Sequence, residues 1–374
     1  MSRPLDSPSS WSPDVPSFRS PRAATAALHR PFLLVALIAV LLAACSGGST
    51  PRPTTPPDAT GSLLPPETAT PGPSAAPSAA FPMSLTDDEG TTVELKAQPE
   101  KIVSLTPATT EILFALGVGD RVVGKVEDVT PYPSAVTAIP DVAKFGTVDV
   151  EKIVALGADV VIAGGNSFNP PDKIAQLRKL GVPVVVVYAP DVAGVLHDIQ
   201  LTGDVVGKSA EARDLTASMQ AAFDQVAAAT ADLPKPRVFY ELDATQKIYT
   251  AADHSFLAEM ISLAGGTPIT TGSTTNFEIP LEKLVTADPE LILLGDAAYG
   301  TTAEAVKARN GWAGMTAVKQ GAIVPVDDVV ISRPGPRLVD GLRALALAIH
   351  PDAAVPAPSA PASGQPAASA SAAP

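Results

Sequence analysis

Residues 209–233 read SAEARDLTASMQAAFDQVAAATADL, a stretch without glycine or proline that is rich in strong helix formers. Its larger apolar residues recur at helical spacing, which places them on one stripe. Those residues are Leu215, Met219, Phe223, Val226 and Leu233. Pro234 ends the helix, because proline lacks the amide proton and clashes with the preceding turn. Such a helix spans about 37 Å, so it either bridges two α/β halves or lies on the surface of a single domain.

Short β-branched runs alternate with helical patterns on both sides of this helix. The run Val184–Val187 is wholly apolar, which is typical of a strand buried on both faces of a parallel sheet. We predict strands at 102–105, 122–124, 159–163 and 183–188 before the helix, and at 237–241, 291–294 and 323–326 after it. Helices are predicted around 107–116, 149–156, 171–180, 194–206, 255–264, 281–287, 302–309 and 336–349, with a small hairpin at 83–95. The pattern predicts an α/β fold with central parallel sheets.

One element is duplicated within the chain. VEKIV at 150–154 leads into DVVI at 159–162, and LEKLV at 281–285 leads into ELIL at 290–293, with the same spacing in both copies. Each half therefore has a short helix that opens with a glutamate and is followed by a buried strand. The repeat predicts two similar lobes related by a pseudo-twofold axis.

The composition argues against several classes of function. The formal charge of −13 argues against nucleic acid, whose phosphates it would repel. The single cysteine cannot form an internal disulfide, and the four histidines are too scattered for a metal site with ligand spacing. No Gly-x-Gly-x-x-Gly, Walker or nucleophile motif follows a predicted strand. We therefore expect no catalytic residues, no cofactor and no metal-binding residues.

The N-terminus is predicted to be cleaved and lipidated. The apolar run at 32–42 would span only about 16 Å as a helix, which is too short for a bilayer and right for a signal peptide. It ends in Leu-Ala-Ala-Cys, which resembles the bacterial lipobox. We predict a signal peptide at 1–44 and a lipid on Cys45. An ordinary signal peptide with a chance cysteine is the alternative.

Two segments are predicted to be disordered, because they consist mostly of proline, threonine, serine, alanine and glycine and cannot bury enough apolar surface. The first is a tether at 45–82, and the second is a tail at 352–374. Between them we predict an N-terminal α/β lobe at 83–208, a connecting helix at 209–233 and a C-terminal α/β lobe at 234–351.

Four short motifs resemble those of a known family. They are KIVSLTPATTE at 101–111, FGTVDVE at 145–151, LAGG at 263–266 and SRPGPRLVDGL at 332–342. Their order around a long central helix is similar to that of the helical-backbone (class III) solute-binding proteins, which deliver cobalamin, ferric siderophores or haem to ABC importers. The resemblance covers almost the whole predicted folded part. It implies two Rossmann-like lobes joined by one rigid helix, with the ligand in the cleft between them.

The resemblance also implies which residues line the cleft. Thr106 and Pro107 open a helix directly after a strand, so this helix start, with Thr109 in its first turn, should face the crevice at the strand's carboxyl end. Simple capping is the alternative for both threonines. Phe145 matches a position where an aromatic packs on the ligand, with a core phenylalanine as the alternative. Arg333 matches a cleft position whose guanidinium could bind an amide, carboxylate or phosphate.

We also predict that Asp128 and Tyr240 contact the ligand. Asp128 stands where cobalamin-binding members often carry tyrosine, and Asn276 stands where they often carry tryptophan. These departures leave the identity of the chelate open, with cobalamin as the first prediction and a ferric siderophore or haem as the alternative.

The partners follow from the same resemblance. In the family a glutamate at the position of Glu151 and of Glu282 pairs with arginines of the permease dimer; stabilisation of a helix start by its dipole is the alternative. We predict an extracytoplasmic lipoprotein, anchored to the cell membrane through Cys45, that delivers a small metal chelate to an ABC importer. The other classes considered are an α/β enzyme, a receptor for free metal ions and a purely structural lipoprotein.

Overall fold

The described part of the chain folds into two α/β lobes joined by one long helix. A computed structural model describes residues 80–165 and 168–357. The predicted signal peptide, Cys45, most of the predicted tether and the predicted tail from residue 358 onward lie outside the described residues. None of the helices in the described ranges is long and apolar enough to cross a membrane.

The N-terminal lobe is a hairpin followed by a six-stranded sheet. The strands are β1 (Met83–Thr86), β2 (Thr92–Leu95), β3 (Ile102–Ser104), β4 (Val122–Val126), β5 (Asp141–Lys144), β6 (Thr147–Val148), β7 (Val160–Gly164) and β8 (Val184–Val187). The helices are α1 (Pro107–Ala115), α2 (Val150–Leu156), α3 (Pro171–Lys179) and α4 (Val192–Val206), with short 3-10 turns at Gly119–Arg121 and Ser134–Ala138. Strands β1 and β2 pair as the predicted hairpin, and the sheet has the order β6-β5-β4-β3-β7-β8, parallel except for β6.

The connecting helix and the C-terminal lobe follow in chain order. They are α5 (Ser209–Thr230), β9 (Arg237–Glu241), α6 (Phe256–Leu263), β10 (Thr267–Pro268), α7 (Leu281–Ala287), β11 (Leu291–Leu294), a 3-10 turn at Ala297–Tyr299, α8 (Ala303–Lys307), α9 (Thr316–Gln320), β12 (Ile323–Pro325), α10 (Asp328–Ser332) and α11 (Leu338–Ile349). The four strands form a parallel sheet in the order β10-β9-β11-β12. The predicted α/β class with parallel sheets is confirmed.

Helix α5 buries the central part of its predicted stripe, whereas Leu215 and Leu233 are only partly buried. Met219, Phe223 and Val226 are at most 2% exposed. They belong to a single core cluster that also contains residues of α1 and α4 in the first lobe and of α6 and α11 in the second. The lobes therefore share apolar packing along α5, and separating them would expose that surface to water. The helix ends at Thr230 rather than at 233, because the next amides bond three residues back, as Leu233 N does to Thr230 O at 3.2 Å.

Several short elements were missed by sequence reasoning. Strands β5, β6 and β10 and helices α9 and α10 are two to five residues long. None of these segments contains a run of four apolar residues like those at β8 and β11, so the local pattern did not distinguish them from loops. Strand β6 additionally reverses direction through a turn at Gly146, whose φ of 74° suits glycine.

The hairpin turn is fastened to the end of β8. Asp87 Oδ2 accepts a hydrogen bond from Val186 N at 3.2 Å, and Asp88 Oδ2 accepts one from Tyr188 N at 2.7 Å. Asp198 of α4 lies against this turn and is only 5% exposed. Its burial, together with a hydrogen bond to Asp88 and the negative charge of Asp88, raises the pKa of the Asp198 carboxyl to about 9. Asp198 is therefore a neutral carboxylic acid in the folded protein at physiological pH.

Candidate functional site

The candidate site is built at the carboxyl ends of the parallel strands, where open α/β sheets bind their ligands. In the first lobe Thr106 follows β3, Asp128 follows β4 and Phe145 follows β5. In the second lobe Arg333 follows β12 and the short helix α10. Of these predicted residues, the structure brings Asp128 and Arg333 into direct contact across the two lobes.

Four side chains form what we call the interlobe ion-pair cluster: Glu111, Asp128, Arg333 and Arg337. Arg333 Nη1 donates to Glu111 Oε1 at 2.7 Å and to Asp128 Oδ2 at 3.0 Å. Its Nη2 donates to Asp128 Oδ1 at 3.1 Å and to Thr130 Oγ1 at 3.1 Å. This is the forked pairing that arginine makes with a carboxylate. Asp128 therefore accepts hydrogen bonds from both terminal nitrogens of Arg333.

Arg337 completes the cluster from the second lobe. Its Nε donates to Glu111 Oε2 at 2.9 Å and its Nη2 to Glu111 Oε1 at 2.6 Å, while the guanidinium lies 4.3 Å from the centre of the Tyr132 ring. Burial disfavours the charged form of Arg337, but the hydrogen bonds and charge of Glu111 outweigh it, so the pKa of the guanidinium is raised. Two arginines and two carboxylates leave the cluster without net charge.

Glu111 is the member of this cluster that sequence reasoning missed. It stands inside the quoted motif at 101–111, and its side chain is only 2% exposed although it carries a charge. The signal was a lone carboxylate followed by Ile112 and Leu113 in an otherwise apolar helix. Such a residue is buried only when it is paired, and its partners lie more than 200 residues away in the sequence.

Replacing Glu111 with alanine should lower the free energy of unfolding by about 3 kcal/mol, because it leaves two partly buried guanidiniums short of their partner. Urea denaturation followed by circular dichroism measures this. Glu211→Ala is the matched control: Glu211 pairs with Lys208 at the surface, its side chain is 48% exposed, and its loss should cost under about 1 kcal/mol. Equal midpoints for the two variants would show that the cluster does not hold the lobes together.

Three hydroxyl side chains at the N-terminus of α1, those of Ser104, Thr106 and Thr109, hydrogen-bond to one another. Thr106 Oγ1 accepts from Thr109 N at 3.2 Å, and Pro107 occupies the first turn. The Thr109 hydroxyl lies 2.6 Å from Ser104 Oγ and 2.9 Å from Thr106 Oγ1. Thr106 is 8% exposed and Thr109 is 1% exposed. The structure thus buries both threonines, with their hydroxyls hydrogen-bonded to one another.

Three exposed aromatic residues form what we call the aromatic rim: Phe145, Phe168 and Tyr188. Phe145 is 80% exposed at the turn between β5 and β6, and Phe168 and Tyr188 are 43% and 49% exposed after β7 and β8. The rings of Phe145 and Phe168 meet edge to face, with centroids 6.5 Å apart. Phe145 is therefore not part of a core. Sequence reasoning did not single out Phe168 or Tyr188.

Tyr240 lies in the interior of the second lobe. It is 0% exposed, and its hydroxyl donates to Asp328 Oδ1 at 2.8 Å. Burial raises the pKa of the Asp328 carboxyl despite the hydrogen bonds from Tyr240 and Ser332. The neighbouring Glu241 is also fully buried, and the desolvation that raises its pKa is opposed by Arg309, which donates to both its oxygens. Tyr240 is therefore part of the core of the second lobe, with its hydroxyl bonded to Asp328.

Glu151 and Glu282 occupy equivalent places in the two lobes, in the first turns of α2 and α7. Both are exposed. Within the described ranges neither carboxylate forms an ion pair. Helix α2 already has a side-chain cap, since Asp149 Oδ1 accepts from Lys152 N at 2.9 Å. Glu151 is therefore not needed to cap its helix.

No group of three histidine, cysteine or acidic side chains in the part of the chain that the structure describes is placed to hold a metal ion. The candidate site instead offers an ion-paired surface and exposed rings. Such an arrangement can bind a ligand by burial and hydrogen bonding.

Comparison with known proteins relates this chain to binding proteins of transport systems. Residues 102–330 match the periplasmic binding protein family. An ABC transporter substrate-binding lipoprotein of Bacillus subtilis is 33% identical over 277 residues, covering 73% of this chain and 87% of the relative. A cobalamin-binding protein of Halobacterium salinarum is 30% identical over 283 residues, covering 72% and 74%. Among solved structures, the periplasmic heme-binding protein RhuT from Roseiflexus sp. RS-1 aligns with a TM-score of 0.60 and 26% identity, covering 67% and 98%.

Proposed function

The chain belongs to the periplasmic binding protein family, and we propose that it captures a metal chelate, cobalamin first, in the cleft between its lobes. Members of this family are substrate-binding proteins of transporters and not enzymes. The chelate is then delivered to the permease of an ABC importer. A ferric siderophore or haem is the second candidate ligand.

The aromatic rim is the observation that carries this proposal. Phe145 leaves 80% of its surface in water, which disfavours the unliganded state because apolar area is better buried. A flat macrocyclic chelate presents a large face that exposed rings can cover. The rim lies at the carboxyl ends of β5, β7 and β8, on the side of the sheet where ligands bind.

The relatives support a choice among chelates. The Halobacterium salinarum relative is named for cobalamin binding, and this favours a corrinoid for the present chain. The Roseiflexus structure is of a heme-binding protein, and this supports haem as the alternative. The B. subtilis relative is named as a lipoprotein of an ABC transporter, which supports both delivery to a permease and a lipid anchor.

A ligand panel tests the proposal. The purified protein is titrated with cyanocobalamin, a ferric hydroxamate, a ferric catecholate and haem, and binding is followed by titration calorimetry. Saturable binding of cyanocobalamin, tighter than that of the other three, is the expected result. Tight binding of haem or a ferric siderophore without binding of cyanocobalamin would replace the first ligand by the second, and no binding of any chelate would overturn the function.

Phe145→Ala should weaken binding of the chelate by about 1–3 kcal/mol, because it removes the ring with the largest area available to the ligand. Titration calorimetry with the ligand found in the panel measures the loss. Leu180→Ala serves as the control, since Leu180 is 57% exposed just beyond α3, before β8, and is not at the carboxyl end of the sheet. Equal affinity of the two variants would take Phe145 out of the site.

We also propose that the mature protein is anchored through a lipid on Cys45. Cys45→Ser should move the protein from the membrane to the soluble fraction without changing its circular dichroism spectrum, since acyl chains are what hold such a protein at the bilayer. Ser46→Ala is the control and should stay with the membrane. A Cys45→Ser protein that still sediments with membranes after an alkaline wash would place the anchor elsewhere.

A further inference from the structure

We propose that Asp128 sets the charge selectivity of the cleft: by neutralising Arg333 across the two lobes, it excludes anionic chelates and favours chelates with a neutral, carboxamide-bearing periphery. This inference rests on the proposed function, because it concerns the same cleft. It goes further by naming the residue that separates two classes of ligand.

The pairing of Asp128 with Arg333 leaves little of the arginine for an anion. Both oxygens of Asp128 accept from Arg333, at 3.0 and 3.1 Å, and the side chains are only 8% and 14% exposed. An anionic ligand group could reach the guanidinium only by displacing Asp128. That exchange would release a carboxylate beside the ligand's own negative charge, so it would be opposed by repulsion at short range.

The charges around the pair act in the same direction. Within the interlobe ion-pair cluster, Glu111 is shared by Arg333 and Arg337, so neither arginine is left without a carboxylate. Asp327 precedes Arg333 on the same segment, and its negative charge acts on Arg337, the second arginine of the cluster. The chain as a whole carries −13. A carboxylate or catecholate ligand therefore meets an unfavourable potential at this end of the cleft.

Removing the charge of Asp128 would make the electrostatic potential at the cluster favourable for an anion. Glu111 alone would then face two guanidiniums, and the cluster would carry one net positive charge in a partly desolvated place. Arginine binds carboxylates in a forked geometry, and the space vacated by Asp128 is already oriented toward both nitrogens of Arg333. The Asp128→Ala protein should consequently accept an anionic group at this position. The affinity for a neutral ligand should not rise to a comparable extent, because such a ligand has no charge to pair with Arg333.

The experiment compares two ligands in four proteins. Wild type, Asp128→Ala, Asp128→Asn and Asp120→Ala are titrated with cyanocobalamin, which has a neutral carboxamide periphery, and with haem, which carries propionates. Asp128→Asn preserves the shape of the side chain and guards against a folding defect. Asp120→Ala is the matched control, because Asp120 is an exposed aspartate at the opposite, amino end of the same strand β4. Circular dichroism establishes that each variant is folded.

The expected result is a rise of at least about tenfold in the affinity for haem relative to cyanocobalamin in both Asp128 variants, with no change in Asp120→Ala. The gained haem affinity should fall as salt is raised, since it depends on an unpaired charge. An unchanged ratio, or an equal rise for both ligands, overturns the proposal and makes the pair a simple lobe contact. The wild type could also fail to bind cyanocobalamin while the Asp128 variants gain haem binding. That result would support the role of Asp128 and refute cobalamin as the ligand.

Discussion

Between about pH 5 and about pH 8 the protein should lose about 4 kcal/mol of unfolding free energy through Asp198 alone, and Asp198→Asn should abolish that loss. The variant should accordingly be more stable than the wild type at neutral and alkaline pH. Near pH 4 the two proteins should be of similar stability. This is the largest effect on stability that we expect from a single side chain of this fold.

The sign follows from the two pKa values of Asp198. In the unfolded chain its carboxyl ionises near 3.8, whereas burial against Asp88 raises the pKa in the folded protein to about 9. Between these values the folded state holds a proton that the unfolded state has lost. Stability contributed by this proton is complete below the lower pKa and falls by about 1.4 kcal/mol per pH unit until the upper one is passed. Asparagine is neutral throughout and can still donate a hydrogen bond to Asp88.

Urea denaturation at closely spaced pH values measures this effect as the difference between wild type and Asp198→Asn. Asp214→Asn on α5 is the control, since it removes one aspartate from an exposed position. Parallel pH profiles for wild type and Asp198→Asn would show that Asp198 is ionised in the folded protein. Because Asp198 lies against the hairpin turn that holds the end of β8, hydrogen exchange of the β8 amides should show the same pH dependence.

Sequence reasoning located the elements with the strongest apolar patterns most accurately. The apolar stripe of α5 and the runs β9 and β11 were predicted, and both strands were predicted to the residue. The wholly apolar run at β8 correctly indicated a parallel sheet. Each of these signals is local, because burial of a long helix or strand is determined mainly by the residues within it.

The site was predictable only in part, because its chemistry is not local. Arg333 and Asp128 were both singled out, but nothing in either segment shows that they bind each other, since they are separated by 205 residues. Glu111 was passed over for the same reason. Thr109 and Tyr240 carry polar groups that are typical of ligand contacts, and yet the fold places both in the interior with partners of their own. Burial of a polar side chain depends on tertiary partners that a sequence pattern does not reveal.

Reversing two charges on the surface should stop transport without touching the cleft. We expect the double variant Glu151→Lys with Glu282→Lys to bind its chelate as the wild type does, and uptake through the cognate importer to fall at least about tenfold. We propose that both glutamates pair with arginines of the permease dimer, as the resemblance to the family implies, and lysines would then place like charges across that interface. The exposure of both glutamates on equivalent helices of the two lobes supports this role.

A stability effect is the competing explanation, because a glutamate in the first turn of a helix also interacts with the helix dipole, by about 0.3–1 kcal/mol. The control is therefore the double variant Glu211→Lys with Glu304→Lys, which makes the same charge change in the first turns of α5 and α8, also at exposed positions. Uptake of radiolabelled cyanocobalamin is measured in cells that express each variant, and thermal unfolding shows that both are folded. Docking predicts that only the Glu151 and Glu282 variant loses uptake. Wild-type uptake by that variant would remove both glutamates from the interface. Equal loss of uptake in both double variants would instead assign the defect to net charge. The permease would then respond to the electrostatic field of the whole protein and not to two specific carboxylates.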